Sequence, residues 1–144
     1  MKKIILTIFL LFLMFSCEKS KDTITPNTNN PFLPNYSFTI NVDLSLPSNS
    51  QLAFAGNGIR ILQSGVGIRG IFVFNTGSGY TAFDVACPNQ DLASCSTMTL
   101  NGINGICPCD NVNYSLYTGQ AAGKQYPLKQ YRTEVNGGVV RVYN

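Results

Sequence analysis

Residues 71–110 read IFVFNTGSGYTAFDVACPNQDLASCSTMTLNGINGICPCD and carry the clearest signals of the fold in this sequence. It begins with four apolar residues, Ile71 to Phe74, which are typical of a buried strand. A turn follows at residues 75–79, where Asn, Thr, Ser and two Gly stand together, and residues 80–85 resume the strand pattern. The stretch therefore predicts a β-hairpin that leads into a cysteine-containing segment.

Strand patterns continue on both sides of this stretch. Residues 38–46 alternate apolar and polar side chains with a period of two, as expected of a half-buried strand. Near the other end, residues 131–135 and 139–143 flank Asn136-Gly137-Gly138, which is a strong signal for a hairpin turn. No segment shows a convincing helical periodicity. The sequence predicts an all-β fold.

Two short cysteine motifs lie between the predicted hairpins. The first is Cys87-Pro88-Asn89, and the second, after seventeen intervening residues, is Cys107-Pro108-Cys109-Asp110. This framework resembles the C-x-H and C-x-x-H boxes of a Rieske iron–sulfur domain, in which two Cys and two His hold a [2Fe–2S] cluster. The resemblance covers residues 69–144 and includes an aromatic-x-x-x-Thr-Gly turn at residues 114–119. It implies stacked antiparallel sheets with two loops joined by disulfides.

The sequence departs from the Rieske pattern at both His positions. Asn89 and Asp110 stand where that family has His, and the chain contains no His at all. A carboxamide is a poor ligand for iron, and a carboxylate would make a cluster more anionic. We therefore predict that Cys87, Asn89, Cys107 and Asp110 are vestigial cluster positions that hold no metal or other cofactor. An electron-transfer protein with an atypically ligated [2Fe–2S] cluster is the alternative.

The N-terminus has the pattern of a bacterial lipoprotein. Lys2 and Lys3 form a positive region, residues 4–15 are almost entirely apolar, and Ser16 comes directly before Cys17. The apolar run is too short to cross a bilayer as a helix, and the residues before Cys17 resemble a lipobox.

This pattern predicts how the chain is organised and where it resides. We expect residues 1–16 to be a signal peptide and Cys17 to carry the lipid anchor. Residues 17–35, which are polar and rich in Pro and Asn, are predicted to form a flexible tether, and residues 36–144 the folded domain. The lipid would hold the protein in the cell envelope, on the inner or the outer membrane.

Four cysteines remain besides Cys17, and an even number in an exported protein favours disulfides. Many Rieske domains join their two cluster loops by a disulfide, and the resemblance implies the pair Cys95–Cys109 here, although Cys95 lies three residues beyond the usual position. The resemblance also brings Cys87 and Cys107 together, and we predict that they pair in the absence of iron. From the sequence alone, three pairings are possible. A redox-active Cys107-Pro108-Cys109 motif and a four-Cys metal site stay open as alternatives.

Composition excludes several classes of function. After removal of the signal peptide, the chain has eight basic and seven acidic residues, and the basic residues do not cluster in the sequence. No nucleic-acid partner is therefore predicted. The absence of His excludes imidazole-based nucleophiles and His-ligated zinc. Asp84, Asp91 and Asp110 lack the spacing of a calcium loop and are interpreted as solvated loop acids. We predict a monomeric, non-enzymatic binding or structural module without catalytic residues, with membrane lipid as its one named partner.

Overall fold

Nine strands and a short helix form the domain, and the computed structural model describes residues 29–144 of the chain. In chain order the elements are β1 (Thr39–Asp43), a 3₁₀-helix (Pro47–Ala53), β2 (Gly58–Ile61), β3 (Ile71–Asn75), β4 (Tyr80–Asp84), β5 (Thr99–Asn101), β6 (Asn104–Cys107), β7 (Val112–Ser115), β8 (Gln130–Asn136) and β9 (Val139–Tyr143). No helix among these residues is long and apolar enough to span a membrane.

The strands form two antiparallel sheets. One sheet has six strands in the order β1-β9-β8-β4-β3-β2, and the other has three in the order β5-β6-β7. The hairpin β3–β4 pairs Ile71 with Asp84, and the hairpin β8–β9 turns through Gly137 and Gly138, which both have positive φ angles. These angles are the ones that a two-residue hairpin turn requires. The all-β class and both predicted hairpins are confirmed.

Strand β3 separates two hydrophobic cores because its side chains alternate between its two faces. Phe72 and Phe74 lie in the core that joins the two sheets, whereas Ile71 and Val73 lie in the core on the other face. All four side chains are fully buried. This double burial explains why the strand is a continuous apolar run rather than an alternating one.

The first predicted strand ends earlier than the alternating pattern does. Strand β1 stops at Asp43, whose carboxylate accepts hydrogen bonds from the backbone and hydroxyl of Ser45, and Leu46 beyond it is half exposed. The chain then enters the 3₁₀-helix, which the sequence did not predict. Pro47 begins this helix, and the fully buried Leu52 fastens it to the core.

Residues 30–35, the last six of the predicted tether, lie on the domain. Leu33 is buried there, and the Lys129 ammonium group donates a hydrogen bond to the Asn35 side chain. The signal peptide, Cys17 and the first part of the tether fall outside the described residues, so those interpretations stay predictions.

Candidate functional site

The two cysteine motifs lie at the ends of strands that belong to different sheets. Cys87 comes three residues after the end of β4, and Cys107 is the last residue of β6. The turn after β6 closes with a hydrogen bond of 2.8 Å from the backbone N–H of Asn111 to the backbone carbonyl of Cys107. The core that contains Phe72 and Phe74 packs the two sheets together, and the two loops therefore meet at one end of the domain.

Two disulfides join these loops, in the pairs named from the sequence. Cys87–Cys107, the inner disulfide, has a Cα–Cα distance of 5.6 Å, and both residues are only 1% exposed. Cys95–Cys109, the outer disulfide, has a Cα–Cα distance of 5.1 Å. Cys95 is exposed and Cys109 is half-buried. One disulfide thus belongs to the core and the other to the surface.

Three of the four sulfur atoms form a compact group. The Sγ atoms of Cys87, Cys107 and Cys109 all lie within 4.8 Å of one another. Among residues 29–144 this is the one group of three Cys, Asp or Glu side chains close enough to share a metal ion. Cys95 is not a member of this group, although it is bonded to Cys109.

Asn89, at the first vestigial His position, is held by the loop that contains Tyr126. Its amide nitrogen donates to the Tyr126 carbonyl at 2.7 Å, and its amide oxygen accepts from the Tyr126 backbone nitrogen at 2.9 Å. The same amide nitrogen also donates to the Tyr114 hydroxyl at 2.9 Å. Burial raises the pKa of that phenol, which is 1% exposed. Asn89 therefore cross-links the first motif to this loop and to the core.

Asp110, at the second vestigial His position, points to the same loop. Its carboxylate lies 2.8 Å from the Lys124 ammonium group, with both side chains partly exposed. The hydrogen bond to Asp110 raises the pKa of Lys124. The two substituted positions thus both attach the segment of residues 120–127, one through an amide and one through an ion pair.

As they stand, the four positions do not fit a [2Fe–2S] cluster. The sulfurs of Cys87 and Cys107 are bonded to each other, whereas a cluster needs both as thiolates. The polar atoms of the Asn89 amide all make hydrogen bonds within the protein, and Asp110 is paired with Lys124. Every ligand position therefore has another role in this structure.

Asp84 is a buried carboxylate, so its interpretation as a solvated loop acid was wrong. It is fully buried at the end of β4 and accepts hydrogen bonds from the Ile68 and Ala86 amides at 2.5 and 2.7 Å and from the Tyr131 hydroxyl at 2.7 Å. Burial raises the pKa of Asp84, and these hydrogen bonds oppose the rise without cancelling it. Asp91 and Asp110 are exposed, as expected. The burial of Asp84 could have been predicted from its place at the end of a strand in a buried hairpin.

The N-terminal segment also reaches the cysteine loops. The side-chain amide of Asn30 donates a hydrogen bond of 2.7 Å to the backbone carbonyl of Pro88, the residue that follows Cys87. The Phe32 ring packs edge-on against Tyr126, with 5.9 Å between ring centroids. Residues 30–32 thus lie against the same loops that Asn89 connects, which the polar composition of this segment did not indicate.

Solved structures that are similar to this chain include a chain from an oxygenase–ferredoxin complex and a ferredoxin. A chain from a complex of reduced oxygenase and oxidized ferredoxin in carbazole 1,9a-dioxygenase is 23% identical, with 73% of this chain and 92% of that chain covered and a TM-score of 0.50. The ferredoxin of Sphingomonas yanoikuyae B1 is 21% identical, with 65% of this chain and 93% of that one covered and a TM-score of 0.46. No protein-family model and no curated protein matches the sequence.

The likeness to the carbazole dioxygenase chain establishes the fold. Together with the stacked antiparallel sheets and the two joined loops, it shows that the chain has a Rieske-like fold, as the cysteine motifs predicted. At this level of identity the likeness shows the fold alone, and the chemistry of the site depends on the residues present in this chain.

Proposed function

We propose that this protein is a membrane-anchored envelope lipoprotein whose Rieske-like domain has lost its iron–sulfur cluster and works as a non-enzymatic binding or structural module. The observation that supports it most directly is the Cys87–Cys107 disulfide, buried in the core between the two sheets. A disulfide between these sulfurs and a cluster ligated by them exclude each other, because a cluster ligand must be a thiolate. An oxidising envelope compartment favours the disulfide.

The proposal gives each former ligand position a structural role. A cluster would cross-link the two loops, and here the inner disulfide makes that connection covalently. Asn89 and Asp110 then connect these loops to residues 120–127. The end of the domain is thereby held rigid without metal, which suits a surface that binds a partner through a fixed shape.

The second candidate is an electron-transfer protein with an atypically ligated cluster. It is favoured by one observation, the approach of the Cys87, Cys107 and Cys109 sulfurs to within 4.8 Å of one another. If both disulfides were reduced, the thiolates of these three residues could supply soft ligands to iron. The two candidates differ in whether the exported protein contains iron.

We expect protein purified without oxygen from the envelope fraction to be colourless and free of iron and acid-labile sulfide. The reason is that Cys87 and Cys107 are bonded to each other and not available to iron. Iron analysis, a visible spectrum and EPR of the dithionite-treated sample would measure this.

The matched control is the double variant Cys87→Ser, Cys107→Ser, measured in the same way. A red-brown wild-type protein with the EPR signal of a reduced [2Fe–2S] cluster, absent from the double variant, would contradict the cluster-free proposal and establish the electron-transfer alternative.

For the anchor, we expect Cys17→Ala to move the protein from the membrane fraction to the soluble fraction and to abolish its labelling by radioactive fatty acid. Stable anchoring takes two or more acyl chains, and all of them depend on this one residue. Cell fractionation with Cys95→Ser as the matched cysteine variant tests this, because that variant should stay on the membrane. Membrane retention of Cys17→Ala with unchanged fatty-acid labelling would show that Cys17 is not the lipidated residue.

A further inference from the structure

Cys109 links the two disulfides spatially. It is the partner of Cys95 in the outer disulfide, and its sulfur lies within 4.8 Å of both sulfurs of the inner one. Thiol–disulfide exchange needs a thiolate beside a disulfide sulfur. Breaking the outer disulfide would place such a thiolate next to the inner one.

Exposure sets the order in which the two disulfides can be attacked. Cys95 is exposed and Cys109 is half-buried, whereas Cys87 and Cys107 are each 1% exposed. A dithiol from solution can therefore approach the outer disulfide at Cys95, while the inner disulfide is shielded by the core. Because the rate of exchange depends on access to the sulfur, direct attack on the inner pair is slow.

We propose that Cys109 is a relay which passes reduction of the outer disulfide on to the inner one. In the first step, one thiolate of a dithiol attacks the Cys95 sulfur, and the Cys95–Cys109 bond breaks with its electron pair on Cys109. The second thiol of the reductant then displaces Cys95 as a thiol. The reductant leaves as a disulfide, and the protein has gained two electrons and two protons.

The second step is an internal exchange with no net oxidation or reduction. The Cys109 thiolate attacks one sulfur of Cys87–Cys107, a new bond to Cys109 forms, and the other inner cysteine leaves as a thiolate. That thiolate takes up the proton that Cys109 gave up. One sulfur of the core is now a free thiol, although no reductant has reached the core.

Ser96 lies at the position where this thiolate would form. Its hydroxyl is fully buried and lies 3.8 Å from the Cys109 sulfur. In the structure this hydroxyl donates to the Asp91 carbonyl at 3.2 Å, and a rotation of its hydrogen would let it donate to the Cys109 thiolate instead. Such a bond favours the charged form that attacks. The environment of Cys109 thus suits a nucleophile as well as a disulfide partner.

The relay is tested by two full-length variants that lose the same outer disulfide. Cys95→Ser leaves Cys109 free beside the inner disulfide, and Cys109→Ser leaves Cys95 free outside the sulfur group. After acid quenching, alkylation and peptide mapping, we expect Cys95→Ser to carry label on Cys87 or Cys107 in a substantial share of molecules, with Cys109 in a disulfide. Cys109→Ser should carry label on Cys95 alone. Label confined to Cys109 in the first variant would overturn the proposal.

Wild-type protein gives the same test without any change that could disturb folding. With one equivalent of dithiothreitol, each reduced molecule should carry label on Cys95, and its second label should be divided among Cys109, Cys87 and Cys107. A second label found on Cys109 only would overturn the relay.

The inference rests on the inner disulfide that the proposed function also uses, and the two can fail separately. Iron held by Cys87 and Cys107 would colour the wild-type protein before any dithiol is added. A failed relay would instead leave colourless protein in which the inner disulfide never exchanges.

Discussion

Replacing both Cys87 and Cys107 by Ala is expected to lower the free energy of unfolding by about 4 kcal/mol. The two residues are 20 apart in sequence, and closing a loop of this size stabilises a protein by about 3 kcal/mol in the chain-entropy model. Both sulfurs also pack in the core that joins the sheets, so their removal adds roughly 1 kcal/mol of lost packing. Small domains are stable by only about 5–15 kcal/mol, so this loss is a large share of the total.

Urea denaturation under non-reducing conditions measures this effect, and the double variant Cys95→Ala, Cys109→Ala is its matched control. The outer pair closes a loop of 14 residues, which predicts a similar entropic loss of about 3 kcal/mol. Exposed Cys95 adds little packing. Each double variant keeps one pair of partners, so no disulfide can rearrange. A smaller loss for the inner pair than for the outer pair would contradict the role of the inner disulfide in the core.

Replacing Asp84 by Ala is expected to lower the free energy of unfolding by about 3 kcal/mol or more. The reason is that the backbone amides of Ile68 and Ala86 and the hydroxyl of Tyr131 all donate to this buried carboxylate. Without it, three donors remain in the interior with no acceptor, and each unsatisfied buried group costs about 1–3 kcal/mol. Alanine also removes a side chain that packs against Gly67, where an added Cβ would lie 2.6 Å from the Asp84 oxygen.

Tyr131→Phe is the matched control, because it removes one of these donors and leaves the carboxylate in place. We expect a loss of about 1 kcal/mol for this variant, as for a typical hydrogen bond. Equal losses for Asp84→Ala and Tyr131→Phe in urea denaturation would show that the backbone hydrogen bonds of Asp84 contribute nothing.

The same carboxylate predicts a pH dependence of stability. Burial raises the pKa of Asp84 in the folded state, so the folded chain keeps a proton that the unfolded chain releases. The contribution of Asp84 to stability is then greatest below the unfolded pKa of about 4 and declines as the pH rises through the folded pKa. Asp84→Asn does not titrate in this range. The difference in unfolding free energy between wild type and this variant should therefore shrink from acid to neutral pH, and a difference that grows would mean that the pKa of Asp84 is lowered.

Part of the candidate site could be predicted because resemblance to a known framework brings distant residues together. The two motifs at Cys87 and Cys107 indicated which loops come together. The resemblance implied both disulfide pairs that are present in the structure. The partners of Asn89 and Asp110 could not be predicted. Tyr126 is 37 residues from Asn89, and Lys124 is 14 residues from Asp110, with no local pattern to connect them.

The all-β class, the two hairpins and the cysteine framework could be inferred from the sequence alone. These depend on short-range rules, namely the period of two in a strand and the residues that a tight turn requires. The burial of Asp84 and the packing of residues 30–35 on the domain are visible only in the three-dimensional structure. The same is true of the position of the Cys109 sulfur beside the inner disulfide. Each of these depends on which distant segments pack against one another, and burial and proximity arise from that packing rather than from neighbours in the chain.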